Sequence, residues 1–368
     1  MKNIRPVYLE VDLPQLKRNT EAIRAYVGSA KIMPMIKANA YGHGMDGVAP
    51  FIEPYVDYFG VAIVEEGVHL RQMGITKPIL VAGGTLPEQV TYFAEYDLTL
   101  TGASIELLDI AEETSRLNGR RIKTHLKFDT GMERVGVHEY DAEALIQRSA
   151  ACSHLDIEGV YTHLANSELL DRSHSLLQLE RFQEILDVYR RLSLPVPRFR
   201  HVCNSGGILN LPEAHFDIVR PGVLFYGVYP GEAMNHIVDV KPALTWHARV
   251  SYVKRTRPGR AVSYGSLWKA ETETGIVTIP CGYGDGYFRR MTNQAQVMIG
   301  AKEYPQVGRI CMDQFMVDVG DDEVSVGDDV ILLGKGIMTE DLADWAGTNA
   351  YEVLTNISAR VPRVYVNE

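Results

Sequence analysis

Cysteine is scarce. Only four occur in 368 residues, Cys152, Cys203, Cys281 and Cys311, widely spaced and without a C-x-x-C pair. That argues against a zinc ribbon and against a disulfide framework. Long apolar runs are missing as well, none approaching the roughly 18–20 residues of a membrane helix. Positive charge is in deficit, 37 Lys and Arg against 47 Asp and Glu for a net charge of −10, so nucleic acid and anionic membrane surfaces are not expected partners. The stretch Met1-Lys2-Asn3-Ile4-Arg5 leads into polar sequence and lacks the apolar segment of a secretory signal. A reducing cytoplasm is the expected compartment. There is no H-E-x-x-H, no His-x-His pair ends an early strand, and no metal is expected. Gly282–Gly286 has no helix behind it, unlike a dinucleotide-binding fingerprint. No repeat of 20–50 residues and no low-complexity tract is present.

What remains is an ordinary globular composition, 46% hydrophobic and 23% charged. The length suits two domains, or a barrel plus a smaller domain. Eight short apolar runs alternate with segments of helical period: 31–37, 58–64, 78–82, 98–101, 123–128, 157–163, 199–203 and 218–226. Continuous apolar runs separated by helices read as parallel strands with crossover helices. Eight such units over about 230 residues match a (β/α)8 barrel. Residues 13–27 keep Leu13, Leu16, Ile23 and Val27 on one face, with Gly28 placed as a C-terminal cap, and residues 106–117 end similarly at Asn118-Gly119.

The pattern changes near residue 240. From Leu244 on, turn residues rather than helices separate the strands, which are expected at 248–254, 275–280, 296–299, 314–319 and 329–333. Arg257-Pro258-Gly259 and Gly320-Asp321-Asp322 read as turns. The division is therefore a barrel domain over 1–239 and a mostly β domain over 240–368. The first few residues are candidates to pack with the latter, since chain termini often lie together.

Chemistry concentrates first in Pro34-Met35-Ile36-Lys37-Ala38-Asn39-Ala40-Tyr41-Gly42-His43-Gly44, where a lysine ends the first run and a small, polar, glycine-containing loop follows. The C-terminal strand ends of a parallel barrel form its active face. A lysine there, beside a water-poor interior, has a lowered pKa and suits Schiff-base chemistry. Position alone leaves open the alternative of a solvated lysine that caps a strand.

This segment resembles the pyridoxal-phosphate attachment motif of bacterial alanine racemases. Further blocks match that family in order: Asp129–Gly136, Tyr161-Thr162-His163, Asn204-Ser205-Gly206, Arg220-Pro221-Gly222, Val262–Gly265, Gly282–Gly286, Gly308–Asp313 and Tyr351-Glu352. The set runs from Lys37 to the C-terminus. The resemblance implies a barrel followed by a β domain, in agreement with the strand count. It also implies pyridoxal 5'-phosphate held covalently by Lys37, with Ser205, Gly222, Val223, Tyr41 and Tyr351 around its phosphate. Ordinary loop chemistry is the alternative for Ser205 and Gly222.

By the same resemblance Arg220 faces the pyridine nitrogen, and His163 contacts the ring and links Arg220 to Tyr264. Arginine donates hydrogen bonds but does not readily give up its proton, so a carbanion at the substrate is short-lived, which suits racemisation. An ion pair with Asp217 is the structural alternative for Arg220. Racemisation needs a base on each face of Cα: Lys37, taking the proton from the D-enantiomer, and Tyr264, taking it from the L-enantiomer. Tyr264 and Met312 are implied to reach the partner's cofactor in a head-to-tail homodimer. Arg134 and the Met312 backbone N–H are implied to hold the substrate carboxylate. Lys127 matches a position often carbamylated, a change that would turn a cation beside Arg134 into an anion. Glu133 and Gly284 depart from the residues common at those places.

The expected activity is interconversion of L- and D-alanine, supplying D-alanine for peptidoglycan. The alternatives are racemisation of other amino acids such as serine or lysine, and a decarboxylase of the same architecture. A carboxylate facing the pyridine nitrogen would mark the decarboxylase, and Arg220 argues against it. A non-catalytic cofactor carrier of this type is a single barrel and lacks the β domain that carries Tyr264 and Met312.

Overall fold

The structure, a computed structural model, describes residues 5–231, 234 and 237–367. The chain divides into two compact units. One holds Leu16–Ala40 and Met45–Lys241; the other holds the described residues up to Gln15, Tyr41–Gly44 and the described residues from Pro242 onward. The strands in chain order are β1 Tyr8–Asp12, β2 Lys31–Ile32, β3 Phe59–Val61, β4 Ile79–Val81, β5 Leu100–Gly102, β6 Ile122–Asp129, β7 Val137–His138, β8 Leu155–Tyr161, β9 Phe199–His201 and β10 Ile218–Val219. There follow β11 Leu244–Arg249, β12 Tyr252–Thr256, β13 Ala261–Val262, β14 Trp268–Lys269, β15 Thr274–Ile279, β16 Gln296–Ile299, β17 Lys302–Val307, β18 Phe315–Gly320, β19 Asp329–Leu333 and β20 Arg363–Val366.

The first unit is the barrel. Parallel pairing joins β3 to β4, β5 through β6 and β8 to β9, and β10 to β2. Single bridges complete the circle, Met35 with Gly60 and Leu80 with Thr99, and Arg220 N–H donates to Cys203 O at 2.9 Å between the last two strands. All eight expected runs contribute a strand. Several runs extend past their strand: residues 223–226 form a 3-10 turn, and Val64 opens a helix. Met33, Tyr58, Leu80, Tyr161, Phe199 and Ile218 form one cluster of the barrel core, and fully burying such a side chain is worth about 1.5–3 kcal/mol.

Helix formation follows local chemistry. The helix Leu13–Val27 has the expected bounds and buries Leu13, Leu16, Ile23 and Val27. The helix Ile105–Asn118 begins where Ser104 Oγ accepts the Leu107 N–H at 3.1 Å, and stops at Gly119 in the left-handed region, φ 65°.

The second unit carries a nine-stranded sheet in the order β12-β15-β18-β17-β16-β19-β11-β1-β20, antiparallel except for the parallel β1–β20 pair. Tyr8–Asp12 thus pairs on both sides, with β11 and β20, whereas the first four residues lie outside the described ones. The expected strand 248–254 is two strands. The chain leaves one ladder at Val250, whose N–H donates to Asp328 O, and enters another at Ser251, whose N–H donates to Thr278 O. Helices are not absent here: Thr339–Ala346 and Ala350–Asn356 follow β19. Lys302–Val307 is a further strand, outside those expected, and it holds Pro305 within it.

Candidate active site

Lys37 stands two residues beyond the Met35–Gly60 bridge, at the C-terminal end of the first barrel strand. There Ile36 N–H donates to Gly60 O at 2.9 Å and Gly60 N–H to Pro34 O at 3.0 Å. The chain then makes a left-handed turn without glycine. Ala38, Asn39 and Ala40 have φ of 52–54° and ψ of 48–52°, and Tyr41 has φ 48°. For L-residues this costs roughly 1–2 kcal/mol each. Specific bonds hold the barrel part of the turn: Ala38 N–H to Glu66 Oε1 at 2.6 Å, Met45 N–H to Asn39 Oδ1 at 2.8 Å, and Ala40 N–H to Ile36 O at 2.9 Å.

Cations gather on this face. Burial lowers the Lys37 ammonium, Arg134 lowers it further and Glu66 opposes. Lys127 is buried, with Nζ 4.7 Å over the Tyr161 ring; burial and then Arg220 take it well below the usual lysine range. His163 lies well below the imidazole range through burial and the fields of Arg220, Lys127, Arg134 and Lys37. Two carboxylates offset these charges, and both are engaged. Glu66 accepts from Ala38 and Ala62 N–H, and Asp129 from the N–H groups of Gly131, Met132 and Arg134. Burial raises the Asp129 pKa, but those backbone donors outweigh it and bring it down to about 2.

Arg220 is 3% exposed, and burial brings its guanidinium down to about 10, so it stays protonated at neutral pH. Nη2 donates to Thr162 O at 2.8 Å and Val202 O at 2.9 Å, and lies 3.3 Å from His163 Nδ1; Nη1 bonds His201 Nδ1 at 2.8 Å. Asp217 does not pair with it, bonding Arg200 at 2.7 Å instead. Among the described residues, Nε and the second Nη1 hydrogen of Arg220 have no partner. Ser205 Oγ accepts Gly222 N–H at 2.9 Å and Leu224 N–H at 3.3 Å, so Ser205, Gly222 and Val223 adjoin one another.

This face fits pyridoxal 5'-phosphate. The group brings a phosphate dianion, an aldehyde and a ring nitrogen that accepts a hydrogen bond. The barrel offers an excess of cations, a lysine with a lowered pKa and a buried guanidinium with donors to spare.

The second unit holds the other expected residues. Tyr264 and Met312, 72% and 51% exposed, line one groove of about 810 Å³ with Ser263, Tyr283, Arg309 and Cys311. Gly284 N–H donates to Met312 O at 2.9 Å. A Cβ on Gly284 would come within 2.5 Å of Arg360 Nη1, so alanine there needs Arg360 to move. Tyr41 and Tyr351 approach with ring centroids 6.2 Å apart. Glu133 is exposed, at φ 54°, and bonds His138. The residue reading passed over Glu66, which carried no motif signal, and His201.

Lysine-held carbonyl chemistry on a barrel with an attached β unit is the class these features define. Sequence comparison gives the particular family. The alanine racemase N-terminal domain matches residues 11–230, and the C-terminal domain matches 243–365. An alanine racemase of Carboxydothermus hydrogenoformans is 44% identical, with 99% of this chain and 100% of that protein covered. Solved structures of alanine racemases from Streptomyces lavendulae and Clostridium difficile 630 superpose with TM-scores of 0.95 and 0.94, each at 34% identity. They cover 100% and 99% of this chain and 98% and 97% of theirs. The chain belongs to the alanine racemase family.

Proposed function

We propose that the chain interconverts L-alanine and D-alanine, as a cytoplasmic homodimer whose D-alanine serves peptidoglycan. Among the described residues no helix is long and apolar enough to cross a membrane. When bound, pyridoxal 5'-phosphate supplies the electron sink that acidifies the substrate Cα–H. Lys37 would hold it covalently, the hydroxyl and N–H groups at Ser205, Gly222 and Val223 would hold its phosphate with Tyr41 and Tyr351, and Arg220 would donate to its ring nitrogen.

The observation that carries this reading is the placement of Lys37 at the C-terminal end of the first barrel strand, among the cations Lys127, Arg134 and Arg220, where burial and Arg134 favour its free amine. A neutral amine can take a proton from one face of Cα and return it. The opposite face needs a second acid–base group, and Tyr264 of the partner subunit fills that role in this reading. Its exposure, together with that of Met312, supports a groove that receives another chain. A phenol is a weak base at neutral pH, with an ordinary pKa near about 10, so nearby positive charge is required to stabilise its anion. Arg134 pairs with the substrate carboxylate, and carbamylated Lys127 would in turn anchor Arg134.

Circular dichroism of L-alanine, L-serine and L-lysine incubated with cofactor-loaded protein tests the reading. Alanine should lose its signal fastest. Unchanged alanine, or faster loss from serine or lysine, overturns the assignment.

A further inference from the structure

A buried chain of hydrogen bonds leads away from Arg220 into the barrel. Arg220 Nη1 bonds His201 Nδ1 at 2.8 Å, His201 Nε2 bonds His125 Nδ1 at 2.8 Å, and His125 Nε2 lies 3.3 Å from Glu158 Oε1. Tyr58 Oη donates to the same carboxylate oxygen at 2.5 Å. We propose that Glu158 is a positioning residue for Arg220, acting through His125 and His201 by fixing a single tautomer in each ring.

The direction of the chain follows from its two ends. A guanidinium only donates, so His201 Nδ1 accepts and the ring carries its hydrogen on Nε2. That hydrogen is donated to His125 Nδ1, which must therefore be bare. His125 then carries its hydrogen on Nε2 and donates it to Glu158, which accepts. Every member points the same way, from the cation to the carboxylate. Such chains polarise one another cooperatively.

The surroundings are built around this geometry. Glu158 is the extra residue of a bulge in β8: Thr124 faces Ile157 and His125 faces Gly159, which leaves Glu158 unpaired on β6. Bulges re-aim side chains. A Cβ on Gly159 would lie 2.5 Å from the His125 ring, so only glycine leaves that ring its place. Tyr161 stacks on His201 with centroids 4.5 Å apart and 7° between the planes, and its hydroxyl is tied to Thr101 Oγ1 at 2.7 Å. Both imidazoles are 0% exposed. The charged and titratable groups acting on His201 are Arg220, His125 and Lys127; burial and then Arg220 keep it far below the usual imidazole range. Burial raises the Glu158 pKa, but the bonds from His125 and Tyr58 outweigh it and hold it below the ordinary glutamate value.

Without the carboxylate, His125 is free to move its hydrogen to Nδ1. That sets two donors against each other at His201, which flips in turn and presents a hydrogen to Arg220 Nη1. The guanidinium must then rotate away from Thr162 O and Val202 O or lose the contact. The bearing of Glu158 on turnover rests on the racemase reading; the tautomer chain does not.

Nitrogen-15 NMR of histidine-labelled, cofactor-free protein tests the chain. Wild type should show Nε2–H and bare Nδ1 in both His125 and His201, and a hydrogen on either Nδ1 refutes the proposal without any variant. Glu158→Leu should mix the tautomers of His201, two hydrogen bonds from the substitution, and lower kcat for alanine roughly tenfold, the loss of about one hydrogen bond at the transition state. Glu158→Gln keeps an acceptor oxygen and should restore both the tautomers and most of kcat. A His201 that stays purely Nε2–H in Glu158→Leu overturns the proposal. Tautomers as stated in a wild-type protein that leaves alanine untouched would overturn the racemase reading and leave the chain standing.

Discussion

Arg220→Lys looks conservative and should not be. The guanidinium reaches three acceptors in different directions, Thr162 O and Val202 O from one nitrogen and His201 Nδ1 from the other. A single ammonium nitrogen on a straight stem cannot serve all three with good geometry, and each acceptor stranded in the interior costs about 1–3 kcal/mol. Charge is the second loss. Burial that brings a guanidinium down to about 10 acts on an ammonium that starts lower, and Lys127 beside it already lies well below the lysine range. The substituted amine should therefore give up its proton more readily than the guanidinium does. Without that proton it would be unable to serve as a fixed cationic donor. We expect melting to fall by a few degrees and alanine racemisation to fall about 10³-fold, or about 4 kcal/mol at the transition state. The assays are thermal unfolding and coupled detection of D-alanine on protein with verified cofactor content. A cofactor-loaded variant with wild-type rate and melting would refute the reasoning.

Mixing inactive Lys37→Ala and Tyr264→Phe subunits should restore part of the activity through hybrid dimers, and verified subunit exchange without recovery would refute the shared site. Acid stability follows from His201, whose pKa is lowered in the fold. Below the ordinary value near about 6.5 the unfolded chain binds a proton that the folded one does not, so stability falls as pH drops, by up to about 1.4 kcal/mol per unit. Unfolding of cofactor-free protein between pH 7 and 5.5 reads this slope, and a flat profile contradicts it. Lys127, whose ammonium is pushed well below the usual lysine range by burial, should add carbon dioxide to its free amine with release of a proton. Carbon-13 bicarbonate should then give a carbamate signal that Lys127→Ala lacks, and equal spectra would remove the modification.

The barrel was legible because strands such as β3 and β4 are buried throughout and lie in apolar runs, and because Gly28 and Gly119 mark helix ends. The β unit was less legible. Lys302–Val307 holds Pro305, which is uncommon inside a sheet, and the bend at Val250-Ser251 carries no glycine or proline to mark it. At the site, Lys37 stood out by position alone, whereas most other roles came from family blocks. The left-handed turn over Ala38–Tyr41 was hidden, since alanine and tyrosine rarely adopt positive φ and the bonds that enforce it come from distant residues such as Glu66. Glu158 was hidden as well: the mark of its bulge is Gly159 beside it, and a strand glycine does not by itself name the side chain that a bulge re-aims.

The central claim is proton exchange at Cα with inversion. Cofactor-loaded protein incubated with L-alanine in deuterium oxide should yield D-alanine carrying deuterium at Cα, with the optical signal decaying to zero, and Lys37→Ala should do neither. Alanine recovered with its configuration and Cα hydrogen intact, or converted to ethylamine and carbon dioxide, would contradict the account.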